Sequence, residues 1–258
     1  MSQKIIDLSI AIEAGLPSDP EMMIPQIDYI THAQGADQME QFFPGLKKEQ
    51  LPKSLGWAIE FAHLTTHSGT HLDAPFHYHP FMDGGQKAMT IDEVPLEWCF
   101  ADGVVLDFSY KPDGERITAQ DVKHKLTEIH YQIKPFDIVL IRTGADAFWG
   151  SAEYLVKGAG MTRESTLYLL DQGIKIVGID AWSWDRPLPF LAEEFQRTGD
   201  PSVIWEAHFA GIEKGYCHME KMANLDQIPV PHGFKVACFP INIKSASAGW
   251  TRPVAIVG

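Results

Sequence analysis

The reading turns on His67-Ser68-Gly69-Thr70-His71-Leu72-Asp73-Ala74-Pro75-Phe76-His77. Four side chains able to bind a metal or move a proton stand at odd positions there: His67, His71, Asp73 and His77. In an extended strand, residues two apart share a face. One short segment can therefore aim three imidazoles and a carboxylate at one place. A flat strand rising ~3.3 Å per residue would leave His67 and His71 about 13 Å apart. That is marginal for two imidazoles whose metal–nitrogen bonds are only about 2.0–2.1 Å long. A bend is needed, and Gly69 lies midway, where a turn or bulge costs least. A helix would also bring i and i+4 together. Against it, Leu64-Thr65-Thr66 enters with β-branched residues and Pro75 lies inside the motif. The expectation is a bent strand presenting a metal site.

Upstream, Trp57-Ala58-Ile59-Glu60-Phe61-Ala62-His63-Leu64-Thr65-Thr66 reads as a strand running into the motif. Trp57 and Phe61 are in phase with His67, which makes them either walls of a substrate pocket or ordinary core aromatics. Earlier still, residues 4–12 and 26–32 read as short strands, 36–43 as a weak helix, and 44–55 as a loop long enough to be a lid. Downstream, 103–108, 136–142 and 174–179 read as strands. Thr90 is a cap for a short helix that carries Trp98. Thr118 with Asp121 forms a capping-box variant before a helical pattern at Val122, Leu126 and Ile129. Residues 162–171 form another helix, stopped at Gly173. Helix and strand alternate here, which predicts an α/β fold with parallel pairing.

A second constellation lies further on. His208 and Glu220 are twelve residues apart, too far for one unbroken helix to bring together, but Gly211 and Gly215 allow a turn between them. The segment Ile179-Asp180-Ala181-Trp182-Ser183-Trp184-Asp185 is dense in aromatics and carboxylates at a strand end, where α/β sites collect. His32, His79, His124, His130, His218 and His232 acquire no individual role from the sequence.

The chain has 258 residues, 45 % of them hydrophobic, enough for one large domain with a substantial core. The expectation is a single domain over residues 1–258. The net charge of −13 disfavours nucleic acid or an anionic membrane as partner. The three cysteines, Cys99, Cys217 and Cys238, include no C-x-x-C pair, which argues against a disulfide framework or a thiolate zinc site. The amino terminus carries no signal-peptide pattern and no stretch approaches ~18 apolar residues, so the expected location is the cytoplasm. G-x-G-x-x-G, G-K-[ST] and G-x-S-x-G are all absent, so phosphate loops and the serine-nucleophile route to acyl transfer drop out.

The motif resembles the H-x-G-T-H-x-D-x-P-x-H signature of the cyclase-like metal hydrolases, which include bacterial kynurenine formamidase and isatin hydrolase. His208 and Glu220 match that family's second histidine–glutamate pair. The likeness is nearer to the isatin hydrolase branch, through Gly56-Trp57-Ala58-Ile59-Glu60, residues 90–99, Trp182-Ser183-Trp184-Asp185 and Ser247-Ala248-Gly249-Trp250-Thr251-Arg252. The resemblance implies a swivelling β/β/α fold with a mixed, partly barrel-like sheet, a homodimer or higher homo-oligomer, and bound manganese or zinc. It implies that His67, His71 and Asp73 hold the metal and that His77 is the general acid/base. His208 and Glu220 would face substrate or hold a second ion. The implied reaction opens an aromatic cyclic amide, isatin to isatinate. Other expectations are an arylformamidase acting on N-formylkynurenine, a lactone hydrolase, or a catalytically degenerate small-molecule binder on the same fold.

Overall fold

Two strands, Phe100–Asp107 and Ile138–Arg142, show how the sheet at the centre is buried. Val104, Leu106, Val139 and Ile141 enter one apolar cluster, whereas Val105, Ile138 and Leu140 enter another. Successive residues of a strand point to opposite faces. Near-continuous Val, Ile and Leu runs are what a parallel sheet covered on both sides requires.

The computed structural model describes residues 3–258. Nine strands make one mixed sheet: β1 Lys4–Asp7, β2 His71–Asp73, β3 Phe100–Asp107, β4 Ile138–Arg142, β5 Ile176–Ile179, β6 Cys217–Glu220, β7 His232–Ala237, β8 Ala248–Trp250 and β9 Val254–Val257. Their spatial order is β1-β9-β7-β3-β4-β5-β6-β2-β8. The four central strands, β3 to β6, run parallel. The strands on either side pair antiparallel. Among the described residues six α-helices accompany them: α1 His32–Phe42, α2 Pro75–Tyr78, α3 Ala119–Glu128, α4 Arg163–Asp171, α5 Leu188–Thr198 and α6 Glu206–Glu213. The α/β class with parallel pairing is as the sequence suggests. The capping box holds too, because the backbone N–H and the hydroxyl of Thr118 donate to Asp121 Oδ2 at 2.8 and 2.7 Å. Gly173 follows α4 in the left-handed region, φ +88°, where glycine carries no Cβ penalty.

Three expectations need correction. The strand entering the motif, Ile59–His63, pairs only with Gln26–Ile30 and stops before the motif starts. The intervening turn breaks the count of parity on which Trp57 and Phe61 were placed near His67. Phe61 is instead 60 % exposed on this hairpin, and Trp57 packs edge-on against Phe42 while its Nε1 donates to Gln38 at 2.8 Å. The motif is also not one bent strand. Only His71–Asp73 is strand, and His77 lies on α2, which begins at Pro75. Proline is well suited to the first helical position, where its missing N–H has no partner to lose. Residues 44–55 fold back on α1, where Lys48 pairs with Asp37 at 3.0 Å, so they form no lid over the motif.

Candidate metal centre

The register between β2 and β6 builds the site. Asp73 lies opposite His218, Leu72 opposite Met219, and His71 opposite Glu220. Directly opposed residues of an antiparallel pair project from the same face. His71, Asp73, His218 and Glu220 therefore form a patch two by two on one side of the sheet. Leu72 and Met219 point the other way into the apolar core. His218 Nε2 is 3.1 Å from both Asp73 Oδ2 and Glu220 Oε1. His71 Nε2 is 3.3 Å from Asp73 Oδ1 and 3.7 Å from Glu220 Oε2.

Three further imidazoles arrive from irregular or helical segments. His67 comes from the turn before β2, with Nδ1 2.9 Å from Asp73 Oδ1. That turn needs Gly69: its φ is +63°, and a Cβ there would sit 2.6 Å from Ile12 Cγ1. His77 reaches back one helical turn, Nε2 3.8 Å from Asp73 Oδ2. His208 comes from α6, with Nε2 3.5 Å from Glu220 Oε1. Here Asp185, just past β5, accepts the backbone N–H groups of Ala207 and His208 at 2.8 and 3.0 Å and also bonds His208 Nδ1. Trp205, left-handed at φ +55°, stacks on the His208 ring at 4.3 Å and 9°. After α6 the chain turns through Gly215 into β6, so His208 and Glu220 meet.

His67, His71, Asp73, His77, His208 and Glu220 are thus brought to one place. His218 received no role from the sequence, and Asp185 was singled out only as part of the segment 179–185, without a role of its own. The signal for His218 was its spacing of two from Glu220 in the run Tyr216-Cys217-His218-Met219-Glu220, which reads as a strand face.

The donor chemistry fits a divalent ion. His71 Nε2 and both oxygens of Asp73 are buried and make no well-directed hydrogen bond, although imidazole nitrogens stand 2.9 to 3.8 Å from the two oxygens. Buried polar atoms are normally satisfied, and such a set calls for a cation between them. The far nitrogens of the imidazoles are held as metal ligands usually are: His71 Nδ1 by the Gly69 carbonyl at 2.9 Å, His208 Nδ1 by Asp185, and His218 Nδ1 by the Tyr78 hydroxyl at 3.2 Å. Two groups of donors share Asp73. One is Asp73, His208, His218 and Glu220, the other His67, Asp73 and His77. Imidazole and carboxylate without thiolate suit manganese or zinc.

Electrostatics sharpen the roles. Burial raises the carboxyl of Glu220, but the hydrogen bond and charge of His218 overcome it and hold Glu220 down at about 2. Burial likewise opposes the charged form of His218, yet the Asp73 carboxylate 3.1 Å away and the hydrogen-bonded Glu220 lift it to about 9. Asp73 stays well below the ordinary carboxylate range, because the imidazoles of His77, His67 and His71 outweigh its burial. His67 is raised, its burial outweighed by Asp73. His77 moves the other way, to about 4: burial is the main cause, and His67 and His208 add to it.

The cluster opens on a cavity of about 360 Å³. Its apolar walls are Trp182, Trp205, Leu188, Ile204 and Met23. Neither Trp57 nor Phe61 lines it; the tryptophans that do come from the loop after β5 and the start of α6. A larger groove of about 610 Å³, beside Thr70 and Arg252, holds none of the histidines.

The model of the Cyclase family matches residues 6–186, well over half the chain, and the chain belongs to that family. The fold is similar to that of an isatin hydrolase bound to the product analogue thioisatinate, at 20 % identity and TM-score 0.76 over 99 % of this chain and 92 % of that one. It is similar to isatin hydrolase A from Labrenzia aggregata bound to benzyl benzoate, at 22 % identity and TM-score 0.76 over 99 % and 94 %. Isatin hydrolase A from Ralstonia solanacearum is 21 % identical, with TM-score 0.76 over 99 % and 92 %. No curated protein matches by sequence.

His218 gives the centre a pH signature. Folding raises its value from 6.5 to about 9, so the stability it contributes is fully present below about 6.5 and is lost as pH rises through about 9. An ion held by His218 must displace that proton. Metal-free protein is expected to melt at a lower temperature at pH 9 than at pH 7, and zinc or manganese to bind more tightly at the higher pH. Melting temperature and affinity that are flat between these values would contradict the assignment.

Proposed function

We propose that this chain is a metal-dependent hydrolase that opens a flat cyclic amide, with isatin to isatinate as the reaction. One observation carries the reading: a buried carboxylate–imidazole cluster with orphaned metal-facing atoms forms the floor of a cavity walled by Trp182 and Trp205. The family and the solved structures named as isatin hydrolases support it.

Manganese or zinc would be held by His67, His71 and Asp73, with His208, His218 and Glu220 placed to hold a second ion or to face substrate. A bound divalent ion supplies Lewis-acid chemistry, lowering the pKa of a water towards about 7 and polarising a carbonyl. His77 is neutral at pH 7, because its proton leaves at about 4, and its ring lines the cavity. It is placed to take the proton of the attacking water as the carbon–oxygen bond forms. As the carbon–nitrogen bond breaks, the imidazolium returns that proton to the leaving nitrogen. Trp205, locked against His208, and Trp182, whose Nε1 donates to Asp19 at 2.8 Å, give fixed apolar planes for a bicyclic substrate.

A two-ion arylformamidase is the second reading. The observation favouring it is the donor group Asp73, His208, His218 and Glu220 beside that of His67 and His77. Two ions per chain with turnover of N-formylkynurenine and none of isatin would select it; turnover of an unsaturated lactone alone would select the lactone hydrolase. A degenerate binder has no need of the complete donor set. We propose further that residues 1–258 form one domain and that the protein works as a homodimer or larger homo-oligomer. Tyr29, Phe42 and Phe61 stand exposed on the hairpin and α1, where a second copy would cover them. No helix among the described residues is long and apolar enough to cross a membrane. Three buried, unpaired cysteines suit a reducing compartment, the cytoplasm.

Chelator-stripped protein is expected to be inactive on isatin, followed by absorbance, and to regain turnover with manganese or zinc. No turnover with either ion, in protein shown to bind it, would discard isatin as the substrate. His77→Ala is expected to cut turnover by about 10²–10⁴-fold while the metal stays bound; loss of the metal together with activity would make His77 a ligand instead.

A further inference from the structure

Lys221 follows Glu220 directly. Its side chain is 1 % exposed and its backbone is left-handed, φ +55°, uncommon for a residue other than glycine. A buried ammonium is tolerated only when it is paired and hydrogen-bonded. Its partners are the buried carboxylate of Asp19 and the backbone carbonyl of His67, the latter at 2.9 Å. Asp19 also accepts from Trp182 Nε1, and the ammonium lies 5.5 Å from the centre of that indole. The backbone of Lys221 is fixed as well: its N–H donates to Ala181 at 3.0 Å and its carbonyl accepts from the Thr70 hydroxyl.

The cluster's other members have strong frames. His71, Asp73, His218 and Glu220 are set by strand register, and His77 and His208 by helices. His67 belongs to neither, for it sits in the turn between the hairpin and β2. What holds its backbone is the Lys221 ammonium on its carbonyl and the Thr65 hydroxyl on its N–H at 3.2 Å.

We propose that Lys221, anchored by Asp19, is a positioning residue that clamps the His67 carbonyl and so aims the His67 imidazole at the metal centre. Lys221 borders the metal-site cavity, but its ammonium is turned to Asp19 and the His67 carbonyl, and its role is exerted through His67. Its charge is paired with Asp19, and the pair couples the wall at Trp182 to the metal-binding turn. The inference rests on the metal-centre reading above.

The test is a set of zinc and manganese affinities, measured by chelator competition on the full chain. The variant Asp19→Asn/Lys221→Met removes both charges together, leaving no unpaired buried ion and no donor for His67. It is expected to bind metal about 10–100-fold more weakly, the usual effect of losing an outer support. Added to His67→Ala, the same pair of changes is expected to cause no further loss, because coupled residues are not additive. Unchanged affinity, or an equal loss without the His67 imidazole, overturns the inference. Lys221→Arg, which keeps a donor and the charge pair, is expected to restore affinity. If the double variant does not fold, the unmodified protein decides: zinc is expected to shift the ¹⁵N-edited NMR resonance of the Lys221 ammonium, and an unmoved resonance overturns the clamp. No metal binding by the unmodified chain would overturn the metal-centre reading and this inference with it; metal binding with intact affinity in the double variant overturns only the clamp.

Discussion

The antiparallel register of β2 against β6 is the constraint on which the rest depends. It places Asp73 opposite His218 and His71 opposite Glu220, so four polar side chains share one face of a buried pair of strands. A slip of β2 by one residue would turn His71 and Asp73 into the apolar core and bring Leu72 to the cavity face. Two buried carboxylates this close are costly by themselves, several kcal/mol per ion. The imidazoles offset part of that cost by holding protons, as the raised value of His218 shows. The orphaned atoms of Asp73 and His71 mark what protons alone do not satisfy.

Around this patch the fold adds support in proportion to how loosely each imidazole is tethered. His77 is fixed by a single helical turn that starts on a proline. His208 is fixed by the Asp185 carboxylate, which caps α6 and bonds the ring at once, and by the Trp205 indole stacked on it. His67, in a turn, depends on glycine at position 69 and on the buried Lys221–Asp19 pair. Trp205 and Lys221 both hold left-handed backbone beside the cavity. Such strain persists only where surrounding structure over-determines it, and it gathers at functional sites. The location also follows a general rule, since the loops beyond the carboxyl ends of parallel strands are where α/β folds collect ligands.

Much of this was legible in the sequence. The run from His67 to His77 announced a metal site, and counting by twos placed His71 and Asp73 on one face, as the strand does. The α/β class followed from alternating strands and capped helices, and the capping box at Thr118 could be read residue by residue. Counting by twos failed where the backbone leaves the strand. Pro75 starts a helix, so His77 joins the cluster by helical geometry, and the chain leaves the strand after His63, which cuts Trp57 and Phe61 off from the phase of His67. His218 was missed, and Asp185 was flagged only with its segment, because their roles are long-range. Nothing local to 216–220 says that this strand pairs with one about 145 residues earlier, and a carboxylate that caps a distant helix carries no spacing signature. The pocket walls were misplaced for the same reason: Trp182 and Trp205 meet across the cavity only once β5, α6 and β6 have packed.

The central claim is that the face shared by β2 and β6 is a metal centre. Anomalous diffraction from crystals grown with zinc or manganese, recorded on both sides of the metal absorption edge, tests it most directly. The account predicts a metal peak within bonding distance of Asp73 and of at least two of the surrounding imidazoles. A fully occupied ion elsewhere, with no peak at Asp73, would contradict it.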